Sequence, residues 1–141
     1  MDDLVQFLRA RLAEDEQIAH IGDATEPPLS FRQIGDTGVI VASDGKHAEE
    51  CANGNWTGIA EHIVRHDPAR VLAEVGAKRR LLEAHGPLNV EGDPFTGCTT
   101  CSWRDEMDEL WVRWPCPTLR LLALPYASHP NYRPEWAPDP A

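Results

Sequence analysis

The chain has 141 residues, of which 42% are hydrophobic and 26% are charged, and its formal net charge is −10. This size fits one domain with a real hydrophobic core, and the composition argues against a wholly disordered chain. The acidic charge argues against general nucleic-acid binding, because contacts with phosphate groups need a basic surface.

From the sequence we expect neither a secretory signal nor a membrane span. Its first residues, Met1-Asp2-Asp3, are acidic where a secretory signal would be basic. No apolar run approaches the roughly 20 residues that a helix needs to cross a bilayer. We therefore expect a cytoplasmic protein whose thiols stay reduced.

The first part of the chain predicts a helix followed by a small antiparallel hairpin. Residues 2–20 have apolar side chains at helical spacing, namely Leu4, Val5, Leu8, Leu12 and Ala19. Strands are predicted at 30–34 and 38–42 with a turn at 35–37, and residues 43–55 are predicted to form a polar loop.

Two further helices are predicted at 56–66 and 68–85. Asp67 suits the N-cap and Pro68 the first position of the second of these helices. Its expected inward residues are Val71, Leu72, Val75, Leu81 and Leu82. Residues 86–97 predict a surface loop, Glu109–Trp114 a strand, and Pro115-Cys116-Pro117-Thr118 the start of a fourth helix.

The most informative pattern is His85, the pair Cys98-Thr99-Thr100-Cys101, and Cys116. A C-x-x-C pair with a further cysteine indicates a structural zinc site in a reducing compartment, because Zn²⁺ takes four sulfur or imidazole ligands in a tetrahedron. We predict that His85, Cys98, Cys101 and Cys116 hold one structural Zn²⁺. Backbone N–H groups in the knuckle (residues 98–101) and at the helix start should lower the thiol pKa values, and Gly97 should let the chain turn tightly.

The fourth ligand and the metal itself leave alternatives open. His85 lies where a predicted helix ends, close in sequence to the knuckle, whereas Cys51 would need a longer-range contact. The cysteines could instead be small buried core residues. Iron is an alternative metal, because tetrahedral sulfur-rich sites accept it as well as zinc.

Two catalytic patterns compete with a structural site. His47-Ala48-Glu49 with Cys98 and Cys101 resembles the H-x-E…P-C-x-x-C signature of zinc nucleoside deaminases, although Gly97 stands where that signature has proline. This alternative is a zinc-dependent hydrolase with Glu49 as proton shuttle. His62 and His66 have the spacing of a zincin but lack the adjacent glutamate. We therefore expect His66 to lie at the helix C-terminus, where the helix dipole favours a partly protonated imidazole.

Three stretches together resemble a family of short actinobacterial and actinophage proteins known only as a domain of unknown function. The stretches are residues 1–16, residues 65–85, which include HDPARVL, and residues 115–130, which include TLRLLALPYA. The resemblance implies that His85, the C-x-x-C pair and Cys116 fall on shared positions, whereas His47 and Cys51 do not. It implies no activity.

We therefore expect an α+β protein with an N-terminal helix, a small antiparallel hairpin, two helices and a treble-clef-like zinc-knuckle subdomain. The expected boundaries are a single domain over 1–128, with the zinc subdomain at about 85–128, and a proline-rich, irregular tail over 129–141. The expected function is a non-enzymatic interaction or regulatory protein of phage or mobile-element origin. Its partner would be another protein.

Overall fold

The computed structural model describes residues 2–21 and 27–140, and it confirms a mixed α+β fold. The chain forms two compact units. We call Met1–Leu12 with Ala77–Ala141 the cysteine unit and Ala13–Gly76 the sheet unit. The predicted boundaries at 128 and 129 stay a prediction.

The secondary structure follows the predicted order with four additional strands, β3 to β6 in the list below. The helices are α1 (Asp3–Ala19), α2 (Thr57–Arg65), α3 (Pro68–Ala84) and α4 (Pro117–Ala123). The strands are β1 (Ser30–Gln33), β2 (Val39–Ser43), β3 (Ala48–Asn53), β4 (Pro87–Leu88), β5 (Gly97–Cys98), β6 (Trp103–Arg104) and β7 (Glu109–Leu110). Within the described ranges, none of the helices combines the length and apolar character of a membrane span.

Helix α1 buries the apolar stripe that its sequence predicts. The expected inward residues are all buried, and Phe7 and Arg11 are buried with them. The acidic Asp3 lies in the first turn, where the helix dipole favours negative charge. Thus the period of the apolar residues correctly identified both the helix and its buried face.

The sheet unit contains an antiparallel sheet in the order β1-β2-β3. The predicted hairpin is confirmed, with Ser30 opposite Ser43 and Gln33 opposite Ile40. Strand β2 is central, and its Ile40, Val41 and Ala42 are buried. Gly35 has a φ of +55° in the turn between β1 and β2, a conformation that favours glycine.

Strand β3 corrects the prediction of a polar loop over 43–55. A tight turn precedes it, in which the Asp44 carboxylate accepts hydrogen bonds from the backbone N–H groups of Lys46 (2.8 Å) and His47 (2.7 Å). These N–H groups lower the pKa of Asp44 to about 2. All six residues of β3 are exposed, so the strand lacks the apolar alternation by which a sequence reveals a half-buried strand.

Asp67 joins helix α3 to the sheet within the sheet unit. One carboxylate oxygen accepts the N–H of Arg70 at 2.9 Å, which confirms the predicted N-cap. The other oxygen accepts the N–H of Phe31 in β1 at 3.1 Å. A single side chain therefore satisfies a free helix N–H group and an edge-strand N–H group.

The cysteine unit contains two short two-stranded ladders, β4-β5 and β6-β7. The predicted strand over Glu109–Trp114 is wrong in extent. Strand β7 ends at Leu110, and the residues after it form hydrogen bonds with β5 instead of β6. Cys98 donates its N–H to Val112 at 2.8 Å, and Arg113 forms a bridge with Gly97. The predicted loop over 86–97 likewise contains β4 and the first residue of β5.

Leu81 corrects the predicted inward face of α3, because 39% of its surface is exposed, whereas Val75 and Leu82 are buried. Leu81 and Leu82 are adjacent, so they point about 100° apart around the helix axis. A run of apolar residues therefore overstated the width of the buried face.

The proline-rich tail is irregular apart from a short turn at Pro134–Trp136. Trp136 is nevertheless buried, and its ring lies 5.1 Å from that of Phe7 in α1. Arg133 adds an ion pair with Asp3 at 2.7 Å. Tail residues thus contribute aromatic packing to the core of the cysteine unit.

We predict that Asp67→Ala lowers the free energy of unfolding by about 1–2 kcal/mol, because it removes the N-cap acceptor together with the acceptor for Phe31. Asp67→Asn, which keeps one carbonyl oxygen, should cost less. Urea denaturation measures both effects. Asp36→Ala removes an exposed carboxylate from the turn after β1 and is the control, and equal losses at the two positions would contradict the prediction.

Candidate metal centre

The end of helix α3 positions His85. Its N–H continues the helical pattern to the carbonyl of Leu81 at 3.0 Å, and its side chain is buried. Its own carbonyl accepts the indole N–H of Trp114 at 2.8 Å. The last turn of a helix leaves its carbonyls without helical partners, so this bond both satisfies a carbonyl and holds the histidine in place.

The two threonines of the knuckle tie it to the same helix end. The hydroxyls of Thr99 and Thr100 both donate to the carbonyl of Ala84, and the distance for Thr99 is 2.9 Å. The N–H of Thr99 donates to Gly86 at 3.0 Å. This role of the two threonines was not predicted. The sequence contains a signal for it, because threonine hydroxyls close to a helix end can donate hydrogen bonds to the free carbonyls there.

The cysteines come from three further places in the cysteine unit. Cys98 ends β5, and Cys101 closes the knuckle, where Ser102 donates its N–H to the carbonyl of Cys98 at 3.0 Å. Cys116 is the N-cap residue of α4, as predicted. Cys98 and Cys116 are completely buried, and Cys101 is half-buried.

The four side chains converge as a metal site requires. Their ligand atoms all lie within 4.8 Å of one another. His85 Nδ1 lies 3.5 Å from the sulfur of Cys98 and 3.4 Å from the sulfurs of Cys101 and Cys116. Zn–S bonds of about 2.3 Å and Zn–N bonds of about 2.0–2.1 Å in a tetrahedron would place nitrogen and sulfur about 3.5 Å apart.

Hydrogen bonding alone does not account for these distances. An imidazole nitrogen has one N–H or one lone pair, which points at a single partner. Here one nitrogen has three sulfurs at nearly equal distance. The donor set and its spacing therefore fit a tetrahedral ion, and these four residues are close enough to bind one.

The thiols differ in acidity without a metal. Burial opposes ionisation of Cys98, but hydrogen bonds from the N–H groups of Cys101 and Thr100, and from the Cys116 and Cys101 side chains, lower its pKa overall. Burial raises the pKa of Cys101 to about 12, and its interactions with Cys98 and Cys116 add to this increase. The expectation of lowered pKa values is thus confirmed for Cys98 and wrong for Cys101.

Gly97 has a different role from the predicted one. Its backbone does not have a positive φ, so the knuckle does not use its conformational freedom. A Cβ at this position would lie 2.7 Å from Cζ2 and 2.8 Å from Cε2 of the Trp111 ring. Glycine is therefore needed because the indole packs directly on the backbone beside Cys98.

The other candidate residues lie in the sheet unit, outside this cluster. Cys51 is exposed on β3, with its sulfur 3.5 Å from the carbonyl of Ile40. The side chain of His47 is 88% exposed and lies 3.5 Å from Asp44, and Glu49 is exposed on β3. Among the described residues, none of these three belongs to a group that could hold a metal ion.

His62 and His66 lie on one side of α2, with ring centroids 4.5 Å apart. His66 is the C-cap residue, as expected, and its Nδ1 lies 2.9 Å from the carbonyl of His62. Within the described ranges no third ligand joins this pair, so it does not form a zincin site.

Comparison with known proteins agrees with the resemblance seen in the sequence. A family model matches residues 1–138, and the chain belongs to this family of unknown function, DUF6221. No curated protein and no solved structure matches the chain. The functional interpretation therefore depends on the geometry of the site.

We predict that Gly97→Ala lowers the free energy of unfolding by about 1–3 kcal/mol, because the added methyl group overlaps the Trp111 ring. Gly76→Ala is the matched control: it adds the same group in open space on α3 and should stabilise the protein by about 0.5–1 kcal/mol. Urea denaturation distinguishes the two. An unchanged stability in Gly97→Ala would contradict the packing.

We also predict that metal affinity rises with pH. Cys101 keeps its proton at neutral pH, and a metal ion that binds its sulfur must displace that proton. Between about pH 6 and pH 8 the affinity should rise about tenfold per pH unit for each proton displaced. Competition with a chromophoric zinc chelator measures it, and a flat profile would show that Cys101 does not bind as a thiolate.

Proposed function

We propose that the protein is a non-catalytic interaction or regulatory protein whose cysteine unit is stabilised by a structural zinc ion. The observation that carries this proposal is the convergence of His85, Cys98, Cys101 and Cys116 on one point. Four protein ligands complete a tetrahedral shell, whereas a catalytic zinc ion keeps one position open for water or substrate. The arrangement therefore supports a structural role.

The small amount of regular structure around the site supports the same conclusion. Each of the four strands in the cysteine unit has two residues, and α4 has seven. Such short elements supply few backbone hydrogen bonds and little buried area. An ion that joins the end of α3, the knuckle and the start of α4 would close long loops and contribute directly to folding.

The donor chemistry favours zinc over the alternatives. Thiolate and imidazole ligands suit Zn²⁺, which needs no redox chemistry from them. The deaminase alternative needs His47 as a ligand and Glu49 as proton shuttle, and no observation favours either role. In that mechanism Cys98 and Cys101 would share the ion with His47, whereas here their neighbours are His85 and Cys116.

The proposed partner is another protein, since the net charge of −10 disfavours phosphate backbones. The proposed phage or mobile-element origin rests only on the sequence resemblance. Both statements go beyond family membership, because the family is described as one of unknown function.

The first experiment is elemental mass spectrometry of the natively purified protein. We expect about one zinc ion per chain. His85→Ala should lose or loosen the metal because it removes the nitrogen ligand, whereas Cys51→Ala and His47→Ala should keep it. Iron in place of zinc would identify the alternative metal.

A thermal melt with and without a strong chelator tests the structural role. Removal of the metal should abolish the cooperative unfolding of the cysteine unit. A metal-free protein that keeps its full cooperative transition would contradict the proposal, and so would the absence of metal in fresh preparations. Loss of metal in His47→Ala with retention in His85→Ala would instead support the deaminase alternative.

A further inference from the structure

A groove lies beside the knuckle within the cysteine unit. It has a volume of about 280 Å³ and lies between the chain that follows β4 and the β6-β7 hairpin. We call it the hairpin groove, and the lining residues that matter here are Leu88, Val90, Trp103, Arg104, Glu109 and Trp111. Its volume is at the low end for small-molecule sites and fits one or two amino-acid side chains.

Large apolar side chains are exposed at this groove and on the adjoining hairpin. Trp103 is 47% exposed, and it faces Leu110 across the two strands, which is 48% exposed. Met107 at the hairpin tip is 94% exposed, and Val90 on the other side is 39% exposed. Scattered apolar residues are ordinary on a surface, but large apolar side chains that line a groove, as Val90 and Trp103 do, are typical of an interaction site.

The groove's own polar groups are satisfied internally. The buried Ser102 hydroxyl donates to the carbonyl of Val112 at 3.2 Å and accepts its N–H at 3.0 Å. The Trp111 indole N–H donates to the carbonyl of Phe95 at 3.3 Å. Binding inside the groove would therefore come from burial of apolar surface, with an exposed tryptophan as the main anchor.

The stretches of chain that line the groove are strongly acidic. Between residues 88 and 111 the sequence has one basic residue, Arg104, whose guanidinium is paired with Glu109 at 2.6 Å. The five other acidic residues of this stretch are Glu91, Asp93, Asp105, Glu106 and Asp108. Asp93 lines the groove together with Glu109, and the others lie within two residues of a lining residue. We call these six residues the acidic rim. At Asp105, hydrogen bonds from the N–H groups of Met107 and Asp108 lower the pKa, so this carboxylate stays charged well below neutral pH.

We propose that the hairpin groove binds a basic segment of a partner protein. Apolar side chains of that segment would enter the groove against Trp103, and its lysine or arginine residues would face the acidic rim. This inference rests on the proposed interaction function and specifies its partner chemistry. A second copy of this chain fits less well, because it would bring a further net charge of −10 to an acidic surface.

The groove and the metal centre share a continuous stretch of chain. Cys101 is followed directly by Ser102 and Trp103, and the next wall residue, Arg104, ends β6. An ion bound to Cys101 would thus fix one wall of the groove. Pre-organised walls raise affinity by reducing the ordering that binding requires.

The test uses the zinc-loaded full chain and a fluorescein-labelled synthetic peptide in which arginine and leucine alternate. Fluorescence anisotropy should show saturable binding at moderate salt. Peptides with glutamate in place of arginine, or with serine in place of leucine, should not bind. Trp103→Ala should weaken binding by about tenfold or more, because it removes the exposed anchor. The matched control is Trp56→Ala, which removes a 74% exposed tryptophan from the sheet unit.

Charge reversal gives the second comparison. Glu91→Lys with Glu106→Lys should weaken binding by about tenfold or more, whereas Glu49→Lys with Glu50→Lys makes the same change in net charge on β3 and should have little effect. Equal effects of the two pairs would show nonspecific charge attraction and overturn the proposal. Absence of binding, or concentration-dependent self-association through Trp103 instead, would overturn it as well.

Failure of this inference can be distinguished from failure of the proposed function. Metal content and the chelator-dependent melt are measured on the same preparations. A protein that contains zinc and melts cooperatively but does not bind the arginine–leucine peptide contradicts the hairpin groove alone. A protein without metal contradicts the proposed function whatever the peptide does.

Discussion

The cysteine unit depends on one geometric constraint: a single imidazole nitrogen lies 3.4–3.5 Å from three sulfur atoms. These four groups come from the end of α3, the knuckle and the start of α4, which are separated along the chain. Hydrogen bonds lower the pKa of Cys98, whereas burial raises the pKa of Cys101 to about 12. A divalent ion would stabilise all the sulfurs as thiolates and replace three competing, poorly directed hydrogen bonds with four directed bonds.

Hydrogen bonds to backbone carbonyls prepare this geometry before any metal binds. The hydroxyls of Thr99 and Thr100 share the carbonyl of Ala84, and the Trp114 indole holds the carbonyl of His85. All three donors use acceptors that a helix end leaves free. The helix end therefore supplies a candidate ligand and also fixes the knuckle and the chain before Cys116. Such outer contacts orient metal ligands and are part of the site.

The four members of the His/Cys cluster could be selected from the sequence because the cysteine spacing and the residues that begin and end helices are local signals. C-x-x-C defines the knuckle, Gly86-Pro87 ends the helix at His85, and Pro117 begins the helix at Cys116. Strand β3 could not be predicted in this way, because it is exposed along its whole length and pairs with β2 through the backbone. The need for glycine at position 97 could not be predicted either, because the Trp111 ring that excludes a side chain there lies fourteen residues further along the chain.

The candidate metal centre and the nearby surface differ in which of their side chains are buried and which are exposed. In the cluster, four protein donors would complete a tetrahedral shell around an ion, which would leave no open position for a substrate. Near the cluster, Trp103 and Leu110 are half exposed on strands of only two residues. Exposure of large apolar side chains to water is unfavourable unless a partner covers them. Because Cys101 precedes that hairpin directly, an ion in the cluster would stabilise the surface without taking part in chemistry. In the function that we propose, an ion held by these four residues would support a small recognition surface, whose apolar and acidic residues lie outside the His/Cys cluster.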